Sequence, residues 1–381
     1  MTIQQLLLGA GGESVTGGQT TFIGGRASFS NIGAVTASAS NTGTGSPTIG
    51  MGQLTGNSSS GRNNRWSWVC PTGVNYVTVL CVGGGGGGGG GEVLDYYIPY
   101  VGDIYVQQSG GGGGGGGLIY ANGLAVTPGT TYYVAAGYGP PSVAGDNHGY
   151  RGGASWFATG TVNSGSSVAQ PTGSYIQASG GTGGRFSSGR ASGGQGGSAT
   201  WSGTSRTGGY GGYGYYSTTG GNGGGGGGGC AGLSGNGGNG SSLQSSSSNT
   251  AATAGSGGGG GGGGGYGSMP TGGGGINYFG VGTSGAAGLR AYTGTQTTFL
   301  QNQFGQPGSQ GAIGSVFNHT GNSFSQGVAG CSGGIFGGGG GGNWGNGMSS
   351  PGAPGFVRIL WDSDNQGTYR AYPSTNVGNM S

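Results

Sequence analysis

Six unbroken glycine runs, 83–91, 110–117, 223–229, 257–265, 272–275 and 337–342, constrain this chain more than anything else in it. Glycine loses more backbone freedom on folding than any other residue and has no side chain to pack. A run of nine therefore has two fates: a flexible linker, or an element held wholly by backbone hydrogen bonds. The conformation that permits the second is the extended left-handed helix, with about three residues per turn, a rise of about 3.1 Å and no internal hydrogen bonds. Every N–H and C=O of such a helix points outward, so rods packed side by side can satisfy one another. Collagen needs glycine at every third position because one row of each chain faces the crowded axis. A rod enclosed on all sides needs glycine in all three rows. The pure runs are accordingly expected inside a bundle, and GGx repeats at its rim with x turned outward. The chain supplies such repeats in GGTGGR from Gly180, GGQGGS from Gly193, GGYGGYG from Gly208 and GNGGNG from Gly235.

Glycine fills 114 of 381 positions and charged residues only 4%, a composition far from that of an average globular enzyme. There is no sustained G-X-Y register, and 12 prolines are too few for collagen. Lysine is absent, and ten arginines against seven acids leave a formal charge of +3. So small and scattered a charge implies neither nucleic acid nor a membrane surface as partner. A disordered GY/RGG segment is the alternative for such composition, but only one Arg-Gly-Gly occurs, at Arg151, and apolar strand patterns count against it. No apolar run reaches the length of a membrane span. Residues 6–8 are too short for a signal-peptide core and no positive region precedes them, so synthesis in a cytoplasm is expected. The four cysteines show no CxxC spacing and read as small buried thiols, with a disulfide or a metal as the alternatives.

Residues 1–65 are polar, with short apolar pieces, and too sparse in apolar groups for a robust core of their own. They read as a strand-rich attachment or oligomerisation segment. Residues 66–362 form the glycine-rich domain and 363–381 a C-terminal tail. The best strand pattern is 74–82, with Val77, Val79 and Cys81 on one face and Tyr76, Thr78, Leu80 and Val82 on the other. A second is Phe356–Trp361, with Phe356, Arg358 and Leu360 opposite Val357, Ile359 and Trp361. Apolar residues on both faces of each imply cover on both sides, and the two are expected in one β layer that clamps the start and end of the glycine region. Residues 118–126, the turn Thr127-Pro128-Gly129 and 130–135 read as a hairpin. The fold class is therefore mainly β and irregular: a β layer framing a sandwich-like bundle of polyglycine-II-type left-handed extended helices. The insertions 140–151, 160–179, 198–220, 241–256 and 289–330 are expected as connecting loops at its two ends.

Residues for catalysis are nearly absent. His148 and His319 lie in polar loops, where a solvated turn is the plainer reading than a ligand or base. Asp362 and Asp364 follow the last strand and read as solubilising its end. No GGxGxD calcium repeat and no phosphate loop occurs. No catalytic residue, metal or cofactor is expected. Aromatic residues are the better signal, because tyrosine gives stiff amphipathic contact surface at low entropy cost. Tyr96, Tyr97, Tyr100 and Tyr105 cluster in the first insertion, Tyr210, Tyr213, Tyr215 and Tyr216 in another, and Tyr150, Trp156 and Phe157 in a third. Those with GGY spacing read equally as caps on the flanks of the bundle. The cluster at 96–105 lacks that spacing and is the first candidate binding surface, followed by Arg290, Tyr292, Phe299 and Phe304.

The stretches CPTGVNYVTVLCVGGGGG, VTPGTTYYVAAG, GGASWF and PGAPGFVRILW resemble, in that order, the glycine-rich domain of phage and prophage tail-fibre proteins, over roughly residues 66–362. The phrase PTIGMGQLTG at 47–56 is similar to short phrases that recur in phage tail fibres. More loosely, the chain resembles the polyglycine adhesins at the fibre tips of T-even-like phages, whose glycine-rich rods scaffold receptor-binding loops. The resemblance implies a virion protein of the tail or fibre, assembled in a bacterial cytoplasm. Its implied partners are other virion proteins through the N-terminal segment and a host surface glycan or outer-membrane protein through the loops. Neither nucleic acid nor membrane insertion is implied, and a second copy of the chain is a further candidate partner. A non-adhesive decoration or fibre-attachment protein is the alternative. An ice-binding protein is a more distant one, since it needs a flat face of regularly spaced small residues.

Overall fold

The computed structural model describes residues 17–24, 40–41, 64–100, 102–143, 145–160, 173–187, 189–200, 203–215, 223–243, 249–264, 271–276, 280–288, 333–334, 336–343, 348–362, 370–373 and 377. In chain order the first strands are β1 (Gly18–Ile23), β2 (Ser40–Asn41), β3 (Asn64–Val69), β4 (Tyr76–Val82), β5 (Val93–Ile98), β6 (Gly102–Gln107), β7 (Ser109–Gly110), β8 (Leu118–Ala125) and β9 (Thr131–Ala136). Then come β10 (Ser155–Ala158), β11 (Tyr175–Ala178), β12 (Phe186–Ser187), β13 (Arg190–Ala191), β14 (Ala199–Thr200), β15 (Thr204–Arg206), β16 (Gly214–Tyr215), β17 (Ser242–Leu243), β18 (Asn249–Thr250) and β19 (Phe356–Trp361). All pairings among them are antiparallel, and no helix occurs among the described residues.

Two larger sheets sit face to face. One has the order β15-β8-β4-β19-β1-β2 and the other β14-β11-β10-β9-β3. β4 and β19 are direct neighbours, running from Phe356↔Val82 to Leu360↔Thr78, so the strands that open and close the glycine region do share one layer. Their alternation divides as the sequence implies. Val77, Val79, Cys81, Val357, Ile359 and Trp361 enter the core between the sheets, with Trp68, Val134, Phe157 and Ile176 of the facing sheet. Leu80, Val82, Phe356 and Leu360 form the other side of the layer, covered by Cys230, Leu233, Ile276, Tyr372 and Val377.

β8 and β9 do not form the expected hairpin. β8 pairs with β4 and β15, whereas β9 pairs with β3 and β10 in the facing sheet. The turn at Pro128-Gly129 is instead a corner between sheets, set beside the corner at Pro71–Gly73 that joins β3 to β4. Cys70 N–H donates to Thr130 O and Gly129 N–H to Cys70 O, both at 2.9 Å, so the corners are bonded to each other. Gly129 has φ +73°, which a side chain would resist. Trp156 and Phe157, grouped above with possible surface aromatics, are buried on β10.

β1, from the N-terminal segment, pairs with β19 from Gly18↔Trp361 to Ile23↔Phe356. Its Gln19 Oε1 accepts from Arg358 Nη2 at 2.8 Å and Arg370 Nη2 at 2.7 Å, and Arg370 Nη1 donates to Gly18 O. Asp362 Oδ2 accepts the Arg370 backbone N–H at 3.2 Å. Burial, and then the neighbouring Arg358 charge, lower the Arg370 guanidinium from its ordinary range, while the Asp362 carboxylate opposes the shift. Asp362 is buried in this cluster; it does not solubilise a strand end.

The glycine runs leave the sheets as rods. Gly83, Gly86 and Gly89 donate to Gly117, Gly114 and Gly111; Gly84, Gly87 and Gly90 donate to Gly153, Tyr150 and Asn147; Gly85 and Gly88 donate to Ala353 and Ser350. Successive N–H groups thus address three different neighbours, and every third returns to the same one. None of these glycines has a positive φ, so the three-residue turn is the left-handed extended helix. The 110–117 rod is enclosed by six others: 83–91, 179–185, 192–198, 207–213, 223–231 and 337–343. All eight of its N–H groups donate and all eight carbonyls accept. A Cβ on seven of its eight glycines would lie nearer than 2.5 Å to a neighbouring carbonyl oxygen, and on Gly117 the nearest atom would still be within 3.0 Å.

Not every rod is rich in glycine. Residues 137–143 and 348–355 run as rods against 83–91 and each other and include Pro140, Pro141, Pro351 and Pro354, whose fixed φ suits the conformation. Parts of the expected loops 140–151, 198–220 and 241–256 are therefore rods too. Successive rods alternate in direction. β4 and β8 mark the sheet end of the bundle, and four two-stranded ladders, β5-β6, β7-β12, β13-β16 and β17-β18, mark the far end.

Candidate functional site

The rod pair 83–91 and 110–117 grows out of β4 and β8 and ends in a hairpin. β5 and β6 pair from Val93↔Gln107 to Ile98↔Gly102, and Gln108 N–H closes the base on Glu92 O at 2.6 Å. The four tyrosines expected to bind all belong to it. Tyr96 and Tyr97 lie on β5, Tyr105 on β6 and Tyr100 in the closing turn. The register sets Tyr97 opposite Asp103 and Tyr105 opposite Asp95. Tyr97 is 72% exposed and Tyr100 fully so. Tyr100 holds φ +74°, the only positive φ among the described non-glycine residues. A bulky residue in that region is an outlier that local geometry must impose. Glu92, Asp95 and Asp103, three of the chain's seven acids, fall within this segment, which has no arginine. The hairpin thus combines aromatic surface with negative charge. Arg290, Tyr292, Phe299 and Phe304 lie outside the described residues.

His148 lies near the hairpin's base and is occupied structurally. Its Nδ1 accepts the Phe186 N–H at 3.0 Å, next to the β7-β12 ladder. Among the described residues no group of three His, Cys, Asp or Glu could hold a metal ion, and no helix is long and apolar enough to cross a membrane. Burial pushes the Cys70 thiol up to about 12 and raises Cys81 and Cys230 further. All three are free and buried, and at neutral pH they are inert packing groups.

One surface escaped sequence reasoning. The rim rods 179–185, 192–198, 207–213, 235–242 and 249–256 lie side by side, and their outward residues cap one another. Thr207, Tyr210 and Tyr213 donate their N–H groups to Asn236 Oδ1, Asn239 Oδ1 and Ser242 Oγ. Asn236 and Asn239 donate theirs in turn to Ser256 Oγ and Thr253 Oγ1, and Gln195 donates to Thr182 Oγ1. A rim rod has no neighbour outside it, so its outward N–H would lack a partner. A short polar side chain on the adjacent rod supplies one. The signal was present in sequence as Ser, Thr and Asn at the x positions.

Comparison with curated proteins finds no match. Among protein families, the one described as a glycine-rich domain matches residues 60–277. That span runs from the approach to β3, through the inner rods 83–91, 110–117 and 223–229, to the rod at 271–276. The chain therefore belongs to the glycine-rich domain family.

Proposed function

We propose that this protein is a phage tail-fibre or adhesin subunit that presents its hairpin to a host surface receptor, a glycan or an outer-membrane protein. The observation that carries this reading is the exposure of Tyr97 and Tyr100 on a hairpin at the end of the bundle remote from the sheets. Folding has no use for solvent-facing tyrosines there, whereas binding sites concentrate on loops held by a rigid scaffold. The N-terminal segment supports the same polarity. Its strand β1 pairs with β19 at the sheet end, which supports a reading in which virion attachment and host contact lie at opposite ends. The resemblance of the chain's ordered sequence stretches to tail-fibre glycine-rich domains supports the biological setting.

The test removes residues 93–106, or replaces Tyr97 and Tyr100 with serine, in assembled particles whose composition is checked. Adsorption to host cells should fall by at least about tenfold, as expected when central aromatic contacts are lost. Normal adsorption by correctly assembled particles would favour a decoration or fibre-attachment role instead.

A further inference from the structure

The five rim rods arrange every third residue as a grid. Hydrogen bonds between neighbouring rods place Ser179, Ser198, Thr207, Asn236 and Ser256 in one row, and Thr182, Gln195, Tyr210, Asn239 and Thr253 in the next. Arg185, Ser192, Tyr213, Ser242 and Thr250 form the third. Positions recur about every 9 Å along a rod, one three-residue turn. Across the rods they recur about every 5 Å, the spacing of hydrogen-bonded extended backbones. Nothing aliphatic and nothing acidic occupies any of the three rows.

From this face we infer a second binding site, for a linear acidic polysaccharide lying along the 207–213 rod. Three observations select that ligand. Tyr210 is 58% exposed at the centre of the grid, and its side chain has no hydrogen-bond partner among the described residues. It is a free amphipathic ring of the kind that sugar faces stack on. Beside it, Asn236 and Asn239 are each fixed by an Oδ1 bond to a backbone N–H, so their Nδ2 groups are oriented donors one turn apart. Donors held in place lose little freedom on binding, and a covalently periodic polymer can meet both with the same group of successive repeats. One turn beyond Tyr210, the Arg190 guanidinium lies 4.0 Å from the centre of the Tyr213 ring, with Arg185 exposed in the same row as Tyr213. Two cations without a carboxylate among the grid positions favour a negatively charged sugar at that step. The site uses none of the hairpin's residues and does not depend on the function proposed for it.

The experiment measures retention of the full chain on immobilised polygalacturonate, alginate and hyaluronate, with methyl-esterified polygalacturonate as the uncharged comparator. Retention is expected on at least one acidic polymer, weakening as salt rises and falling on the uncharged ester. Tyr210→Ala should weaken it about tenfold, a typical loss for one stacked ring, and Arg190→Gln by about two- to fivefold, as for an exposed charge. Tyr97→Ser with Tyr100→Ser should leave it unchanged. Thermal melting checks that the Tyr210 variant is folded. Retention on none of the acidic polymers, equal retention on the ester, or indifference to Tyr210→Ala would each overturn the assignment.

Discussion

At the scale of single residues, the identity of a glycine says less than the carbonyl its missing Cβ would meet. A Cβ on Gly114 would sit closer than 3.0 Å to the Gln195 carbonyl, a backbone atom that cannot move without separating two rods. A Cβ on Gly87 would meet nothing nearer than Pro141 O at 3.3 Å, although Gly87 stands in the middle of a nine-glycine run. Sequence reasoning treats the two alike, because a run carries no mark of which row faces a gap. Gly114→Ala should lower stability by about 3 kcal/mol or more, since overpacking would be added to strained inter-rod hydrogen bonds. Gly87→Ala should change it by no more than about 1 kcal/mol. Denaturant melts of the two variants separate these outcomes, and equal losses would mean that the rods are not packed as described.

Elements were legible to different degrees. The alternation in 74–82 and Phe356–Trp361 is a period-2 signal with apolar residues on both faces, and it located both strands and their common layer. The rods were legible because an ordered glycine run has few other ways to satisfy its backbone. The corner at Pro128-Gly129 was not, since a turn joining two strands looks the same whether they pair together or separate into facing sheets. Nor were the proline-containing rods, where the cue of consecutive glycines disappears. The rim caps were missed because Asn236, Asn239 and Thr253 have meaning only once adjacent rods are known. The hairpin that carries Tyr97 and Tyr100 was found by its interruption of the glycines. β19 tests the β layer: it lies between β4 and β1, and its removal exposes both. A chain ending at residue 355 should aggregate on expression. A soluble, protease-resistant fragment ending there would show that the rods frame themselves.

At the scale of the whole molecule, two kinds of cohesion divide the protein along its length. The sheet end has a conventional core with Trp68, Phe157 and Trp361 at its centre, and a buried polar cluster that ties β1 to the C-terminal residues Asp362 and Arg370. The bundle has almost no side chains inside, so backbone hydrogen bonds carry its order. Each such bond contributes about 0.5–1.5 kcal/mol net, against an ordering cost of about 1–2 kcal/mol per residue. Close packing and attachment to the sheets must make up the difference. A rod of nine residues is about 28 Å long, and this stiffness holds the far-end hairpin away from the sheets. Native-state amide exchange tests this directly, because every N–H from Gly110 to Gly117 donates to another rod. Those eight amides should exchange as slowly as the amides of β4, opening only with global unfolding. Exchange of the 110–117 amides at the rate of an unstructured chain, while β4 stays protected, would contradict the bundle.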